Sequence, residues 1–212
     1  MAEHQTEIAG KPADPYKATN LETDVPLEKK IQDLSHFIAH CKFAMMTTRD
    51  AATGGLMSRC MALAAQETGG IDLLFHTNTA SGKASDLASD SHTNISFLNH
   101  STGDWASISG TARVETDRSL VHKHYSSHLK AWLGDLGDGV HDGGPEDPRL
   151  GVIRVRMASA HYAVGSRGVV GHLAQVAQGV VRGKVAGVNK LREIGEEEVR
   201  EWREKWEKRG GE

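Results

Sequence analysis

One segment of the chain combines the residue types that bind anions. In FHTNTASGKASDL, residues 75–87, a strand-like run leads through Thr77, Thr79 and Ser81 to a glycine and Lys83, where a helical pattern begins. Ser81 is placed to cap that helix, whose free backbone N–H groups carry partial positive charge. Lys83 adds a full charge. The segment has the composition of an anion site; an ordinary strand-to-helix turn with a solvated lysine is the alternative.

A second basic residue is expected close to this segment. On the strand predicted just before it, Met57, Arg59, Met61 and Leu63 share one face by alternation. An arginine among apolar neighbours needs a partner. Antiparallel pairing would bring Arg59 near the end of the next strand, so arginine and lysine would converge on the helix start as in a phosphate site. The Walker A pattern of P-loop proteins is absent from the sequence.

Other reactive arrangements are weaker. His124 and His128 are four residues apart, which permits a shared metal, but neither HExxH nor a nearby cysteine accompanies them, so we expect a solvated helix face and no metal site. The GxSxG pattern of serine hydrolases is missing. The acidic residues of 134–148 form a glycine-rich loop, for which calcium binding is the alternative, although their order differs from an EF-hand.

Composition limits the class of protein. The 212 residues carry 25 basic and 28 acidic side chains, a net charge of -3, whereas non-specific nucleic-acid binders are usually basic. No apolar run approaches the roughly 18 residues of a membrane span, and the N-terminal residues lack the apolar core of a secretory signal. Cys41 and Cys60 form no CxxC pair. We expect a cytoplasmic protein that binds neither nucleic acid nor membrane.

The elements that must position these residues are mainly β. A helix is predicted first, with Asp24 as its cap, Pro26 in its first turn and Leu27, Ile31, Leu34 and Ile38 at helical spacing. A second helix, capped by Thr116 or Asp117, is predicted to run to about Leu129 or Trp132. A final helix over 195–208 carries Val199, Trp202 and Trp206 on one stripe. The predicted strands are 42–48, 56–64, 71–77, 93–98, 105–115 and 151–162.

This order of elements predicts the fold class. Five or six consecutive short strands with few helices indicate an α+β, mainly β fold, in which helices pack at the ends of a small antiparallel barrel. Residues 1–22 are predicted to be a flexible N-terminal arm, residues 23–165 the barrel domain, and residues 166–212 a C-terminal extension that ends in an amphipathic helix. The glycine-rich residues 164–187 receive no assignment.

Three motifs in order resemble a known family. They are SRCMAL at 58–63, FHTNxxSGK at 75–83 and SISGTARV at 107–114, with further support from AWL followed by GGPEDPRLGVIRV. The chain resembles the flavin-binding split-barrel proteins related to pyridoxamine 5′-phosphate oxidase. Within them it is similar to the general stress proteins and their fungal blue-light-inducible relatives. The resemblance covers about residues 27–165 and implies an antiparallel split β-barrel of about six strands.

The resemblance also implies a ligand and an assembly. It implies a homodimer with FMN bound in a groove at the subunit interface. Arg59 and Lys83 would hold the FMN phosphate, with help from Ser81. The remaining residues implied to lie along the flavin are Cys60, Met61, Ala62, His76, Thr77 and Trp105, the last of which stands where the oxidases carry a glutamine near the isoalloxazine.

The departures from the oxidases concern the substrate more than the flavin. Gly82 replaces a phosphate-binding arginine, and Ala64 replaces a lysine that helps to grip the substrate phosphate. The C-terminal arginine-x-histidine motif has no counterpart, since residues 191–194 read LREI. The tyrosine-tryptophan-aspartate that stress proteins often carry is Tyr-Ala-Val at 162–164. These differences argue against vitamin B6 oxidation and leave the predicted FMN binding intact.

Three functional hypotheses follow. The first is an FMN-binding flavoprotein of the general stress or light-inducible type, with no vitamin B6 oxidase activity expected. The alternative is an FMN-dependent oxidoreductase acting on a small molecule, such as pyridoxamine or pyridoxine 5′-phosphate. The third is an interaction module without flavin. The missing general base and second phosphate clamp favour the first over the second, and the pairing of Arg59 with Lys83 favours both over the third. No catalytic residue is predicted.

Overall fold

The computed structural model describes residues 7–8, 11–12, 14–165 and 189–211. The helices in that part of the chain are α1 (Pro15–Asn20), α2 (Leu27–Cys41), α3 (Gly82–Ser89), α4 (Arg118–His124), α5 (Lys130–Leu133) and α6 (Glu196–Lys208), with short 3-10 turns at Thr68–Gly70 and Ser127–Leu129. The strands are β1 (Glu7–Ile8), β2 (Lys11–Pro12), β3 (Phe43–Arg49), β4 (Leu56–Glu67), β5 (Asp72–Asn78), β6 (His92–Leu98), β7 (Trp105–Glu115), β8 (Leu150–Gly165) and β9 (Asn189–Ile194).

Six of these strands close into a barrel. The sheet order is β5-β4-β3-β6-β7-β8-β9, and β5 also pairs with β8, so that β3 to β8 form a ring and β9 extends the sheet beyond β8. Neighbouring strands are antiparallel throughout. The predicted α+β, mainly β fold with an antiparallel barrel of about six strands and flanking helices is therefore confirmed.

Alternation along the strands separates the interior of the barrel from its surface. On β3, Ala44 and Met46 are buried, whereas Phe43 and Met45 are exposed. The interior is filled by large apolar side chains, because each strand turns every second residue inward. These include Leu73, Phe75, Ile95, Phe97, Ile108, Ile153 and Val155. Helix α2 packs on this core through Ile31, Leu34, Phe37 and Ile38.

The first long helix is present, but its predicted cap is wrong. Helix α2 begins at Leu27, and the residue in the N-cap position is Pro26. The carboxylate of Asp24 lies two residues earlier and accepts a hydrogen bond from the Thr23 hydroxyl at 3.4 Å. The fixed φ of proline suits the entry into a helix, so the start needs no Asp24 cap.

The second predicted helix is shorter than expected. Asp117 is its cap, since its carboxylate accepts a hydrogen bond from the backbone N–H of Leu120 at 3.1 Å. The helix ends at His124, because Tyr125 takes extended backbone angles. A 3-10 turn and the short α5 follow. The two serines after Tyr125 favour such breaks, because serine hydroxyls compete for backbone hydrogen bonds.

The segment that follows α1 pairs with the last strand of the sheet. Helix α1, which was not predicted, leads to Leu21, and Leu21 forms an isolated parallel bridge with Leu191 of β9.

The predicted final helix is confirmed as α6, with Val199 and Trp202 buried and the rings of Trp202 and Trp206 stacked with their centroids 6.4 Å apart. The unassigned stretch 164–187 lies mostly outside the described residues, and the division at 22 and 165 stays a prediction.

Membrane insertion through a helix finds no support in the part of the chain that is described. None of its helices is both long enough and apolar enough to cross a bilayer.

Candidate anion site and the family of the chain

Arg59 lies on the inward face of β4. It stands opposite the buried Met46 of β3, and its side chain is about one quarter exposed. The guanidinium Nη1 donates to the Thr48 hydroxyl at 2.8 Å, and Nη2 donates to Oδ2 of Asp86 at 2.9 Å. The partner that an arginine among apolar neighbours needs is therefore a carboxylate on α3.

Neither partner of Arg59, Thr48 or Asp86, was predicted from the sequence. Asp86 is buried, and it also accepts hydrogen bonds from the Thr48 hydroxyl at 3.0 Å and from the backbone N–H of Ala51 at 3.1 Å. One signal for it was available. Asp86 follows Lys83 by three residues on a predicted helix, a spacing that places both side chains on one face.

The segment from Asn78 to Lys83 forms the predicted turn into a helix. Ser81 occupies the N-cap position of α3, as predicted, but its hydroxyl donates to the carbonyl oxygen of Asn78 at 2.6 Å. The Lys83 amine donates to the Ser81 hydroxyl at 3.2 Å. Among the described residues, a Cβ atom added to Gly82 would meet no atom within 4 Å, so the start of the helix faces open space.

Lys83 of this turn and Arg59 of β4 are close enough to affect each other. Burial lowers the pKa of the Lys83 amine, the charge of Arg59 lowers it further, and the charge of Asp86 opposes both effects. A phosphate is the kind of group that such a pair accommodates, because it accepts charge-assisted hydrogen bonds from both. The structure thus brings Arg59, Ser81 and Lys83 together beside the start of α3.

The outward face of the barrel carries a second group of the predicted residues. Cys60 and Ala62 lie on β4 opposite Met45 and Phe43, and Trp105 lies opposite Leu98 at the start of β7. Cys60 and Ala62 are exposed, and Trp105 is half-buried. Their apolar neighbours are largely exposed as well: Phe43 at 60%, Met45 at 43% and Leu98 at 66%. An apolar surface of this kind is typical of a binding or assembly site.

The other predicted residues lie elsewhere. Met61 points into the barrel core, and Thr77 is buried on the inward face of β5. His76 lies on the opposite face of β5 from Thr77, beside the residues of α4. Its Nε2 atom is buried without a hydrogen-bond partner among the described residues, and burial lowers its pKa. The contacts of these residues with a flavin stay a prediction.

The acidic loop is organised by its own side chains. The carboxylate of Asp147 accepts hydrogen bonds from the backbone N–H of Gly143 and from Arg149, which hold its pKa far below the usual range. The guanidinium of Arg149 also donates to the carbonyl oxygens of Leu133 and Gly134. Within the described residues, no group of three or more His, Cys, Asp or Glu side chains is arranged to hold a metal.

Comparison with known proteins now decides the family. Residues 29–186 match the family described as "Pyridoxamine 5'-phosphate oxidase like". The chain belongs to the pyridoxamine 5′-phosphate oxidase-like family. It is 69% identical over 197 residues to Protein bli-3 of Neurospora crassa, a match that covers 93% of this chain and 94% of that protein. The resemblance inferred from the motifs is confirmed.

Solved structures agree on the fold. The chain is similar to a putative general stress protein 26 from Jannaschia sp., with a TM-score of 0.59, 16% identity and coverage of 79% of this chain and 98% of that one. It is also similar to the general stress FMN/FAD binding protein from Xanthomonas citri, with a TM-score of 0.51, 22% identity and coverage of 63% and 88%. Structural relatives of the chain therefore include FMN/FAD-binding proteins.

Proposed function

We propose that this protein is an FMN-binding flavoprotein of the general stress type. The observation that carries the proposal is the convergence of Arg59 and Lys83 beside the start of α3. These residues and Ser81 would hold the phosphate of FMN. The residues fit such a group, because Lys83 is half-buried beside a second cation and the helix start is open at Gly82. The match to an FMN/FAD binding protein of the same fold supports this choice of anion.

The flavin ring would lie along the outward face of β4 and β7, against Cys60, Ala62 and Trp105, and between two copies of the chain. The exposed Phe43, Met45 and Leu98 on the same face support a homodimer, because an apolar surface of this kind is stabilised by burial against a second copy. FMN, when bound, supplies redox chemistry, while the chain binds it, positions it and restricts its access to water.

Vitamin B6 phosphates are not the proposed substrates. The C-terminal arginine-x-histidine motif, with which the oxidase relatives grip the substrate phosphate, has no counterpart here, and the nearby Arg192 is buried and paired with carboxylates. Its guanidinium pairs with Glu22 at 2.8 Å and also with Asp33. Ala64, which stands where the oxidases carry a lysine that helps to grip the substrate phosphate, supplies no charge. A pyridoxamine phosphate dianion would therefore lack the cations that its burial requires.

The test compares FMN with riboflavin, which lacks the phosphate. Binding is measured by quenching of flavin fluorescence in the parent and in Lys83→Met. Loss of one charge-assisted hydrogen bond, worth about 1.5–3 kcal/mol, should weaken FMN binding by about one to two decades. Riboflavin should bind the parent poorly and should be little affected by the substitution.

The matched control is Lys208→Met, which removes an exposed lysine near the end of α6 and should leave the affinity for FMN unchanged. Equal losses for FMN and riboflavin in Lys83→Met would place the phosphate elsewhere. A parent protein that does not bind FMN at micromolar concentrations would refute the proposed function.

A further inference from the structure

Asp86 is a buried carboxylate set directly among the basic residues of the proposed phosphate site. Its side chain is 3% exposed. Oδ2 accepts hydrogen bonds from Arg59 and from the Thr48 hydroxyl, and Oδ1 accepts one from the backbone N–H of Ala51. An acidic group beside a site that should attract an anion requires an explanation.

The charge of Asp86 acts on both cations. It is hydrogen-bonded to Arg59 directly, and it lies one helical turn after Lys83 on the same face of α3. Burial and the charge of Arg59 lower the pKa of the Lys83 amine, and the charge of Asp86 raises it. Two cations and one carboxylate leave the cluster with a single net positive charge.

The contacts of Asp86 separate into two roles. The bond from the Ala51 N–H closes the turn between β3 and β4, and a neutral oxygen could also accept it, with a weaker bond. The contacts at Oδ2 involve Arg59, and there the negative charge matters. Arginine has five N–H donors, of which Thr48 and Asp86 take two, so Arg59 retains donors for a ligand without breaking this pair.

We propose that Asp86 is an internal counter-anion, which competes with the phosphate of FMN for Arg59 and Lys83 and thereby determines how tightly the site holds it. This inference rests on the proposed function. A phosphate that binds beside Asp86 meets a like charge in a poorly solvated place, where repulsion is screened less than at the surface. The site therefore binds FMN reversibly and exchanges it with solution more readily than a site with two uncompensated cations would.

A purely orienting role for Asp86 predicts the opposite effect on affinity. If Asp86 served only to aim Arg59, then removal of its charge would weaken phosphate binding. Arg59 has a second anchor in the Thr48 hydroxyl, which remains when Asp86 is changed. The pair is also joined by one hydrogen bond, not by the two-pronged contact that fixes a guanidinium firmly. We therefore expect the repulsion between Asp86 and the phosphate to affect FMN affinity more than the loss of Arg59 orientation does.

The first measurement is the ratio of the riboflavin Kd to the FMN Kd in the parent and in Asp86→Asn. The ratio isolates the contribution of the phosphate. We expect it to rise about tenfold in Asp86→Asn, with the riboflavin Kd unchanged, as a unit charge several ångströms away would produce at a partly screened site. A ratio that stays constant or falls would overturn the proposal.

Asp90→Asn is the matched control. Asp90 follows the last residue of α3, pairs with Arg49 and His92 at the surface, and carries the same charge as Asp86. Its substitution should change the ratio by less than about twofold, because exposed charges are screened by solvent and salt. An increase in Asp90→Asn equal to that in Asp86→Asn would show only a general effect of net charge and would also overturn the proposal.

The second measurement needs no flavin. The pH dependence of acylation of the Lys83 amine, located by mass spectrometry, gives the pKa of that amine with and without inorganic phosphate. The loss of the Asp86 charge should lower the pKa of Lys83, and phosphate should protect Lys83 more strongly in Asp86→Asn than in the parent. If Asp86→Asn altered neither the pKa of Lys83 nor its protection by phosphate, the counter-anion proposal would be overturned, even if FMN bound as proposed.

FMN binding and the counter-anion role of Asp86 can be refuted separately. A parent that binds neither flavin would refute the proposed function, while altered labelling of Lys83 in Asp86→Asn would still support the counter-anion. If Asp86→Asn does not fold, Asp86→Ser is used in both measurements, because a serine hydroxyl also offers an oxygen acceptor in place of a charge.

Discussion

The C-terminal helix is held on the barrel by a buried ion pair whose loss should be costly. Arg203 of α6 donates from Nη1 and Nη2 to the two carboxylate oxygens of Asp72, both at 2.6 Å, and from Nη2 to the carbonyl oxygen of Met157 at 3.0 Å. The side chains of Arg203 and Asp72 are only 12% and 8% exposed. Arg203→Met would keep most of the side-chain volume and leave the carboxylate without its cation.

The expected loss follows from these contacts. Removal of one partner of a buried pair costs about 3–5 kcal/mol. Asp72 keeps hydrogen bonds from the Thr68 hydroxyl at 2.9 Å and from the Met157 N–H at 3.2 Å, so the lower end, about 3 kcal/mol, applies. For a chain of this size each kcal/mol lowers Tm by about 2–4 °C, which gives a decrease of about 6–12 °C.

Urea unfolding followed by circular dichroism measures this loss against a control on the same helix. Arg200 is 68% exposed and lies 3.8 Å from Glu197, so Arg200→Met should cost at most about 0.5 kcal/mol. The double variant Asp72→Asn with Arg203→Met should recover part of the loss, because no unpaired charge remains. If Arg203→Met were as stable as Arg200→Met, the buried pair would not be what fastens α6.

Three further predictions concern acid stability, assembly and turnover. Burial lowers the pKa of His76 and of His124 below 6.5, so the unfolded chain binds more protons than the folded chain in that range. The free energy of unfolding should therefore fall as the pH drops below about 6.5. Denaturant unfolding at pH values from 8 to 5 measures this fall, and a free energy that does not change with pH would refute it. Met45→Glu should place a charge in the proposed dimer face and give the mass of one chain in light scattering, whereas an intact dimer would exclude that face. Oxygen uptake with millimolar pyridoxine or pyridoxamine phosphate should stay well below ordinary enzyme rates, about 1 s⁻¹, and faster turnover would favour the oxidoreductase alternative.

The barrel could be predicted because its strands have clear local signals. The strand Trp105–Glu115 was predicted with the bounds that the structure shows. The turn NHSTGD marks its start, Asp117 caps the next helix beyond its end, and buried residues alternate with exposed ones between them. Such signals depend only on neighbouring residues, so the strands along the chain, and from them an antiparallel barrel, could be predicted from the sequence.

Features that depend on distant contacts were missed. Arg59 and Asp86 are 27 residues apart, and only the closed barrel shows that the inward face of β4 meets α3. Strand β9 was missed for a similar reason, since its pairing with β8 is set by the edge of the sheet. The phosphate motif could be recognised from Ser81 and Lys83, and the spacing of Asp86 could place it beside Lys83, but its pairing with Arg59 could not be predicted.

The most direct test of the central claim is sedimentation of the FMN-loaded protein, followed at the visible flavin bands. We expect a yellow species with twice the mass of the 22.9 kDa chain and one FMN per chain. The flavin should remain in the dimer fraction of the parent and be largely lost from Lys83→Met. A colourless dimer would contradict FMN binding, and FMN that sediments with a single chain would contradict its location between two subunits.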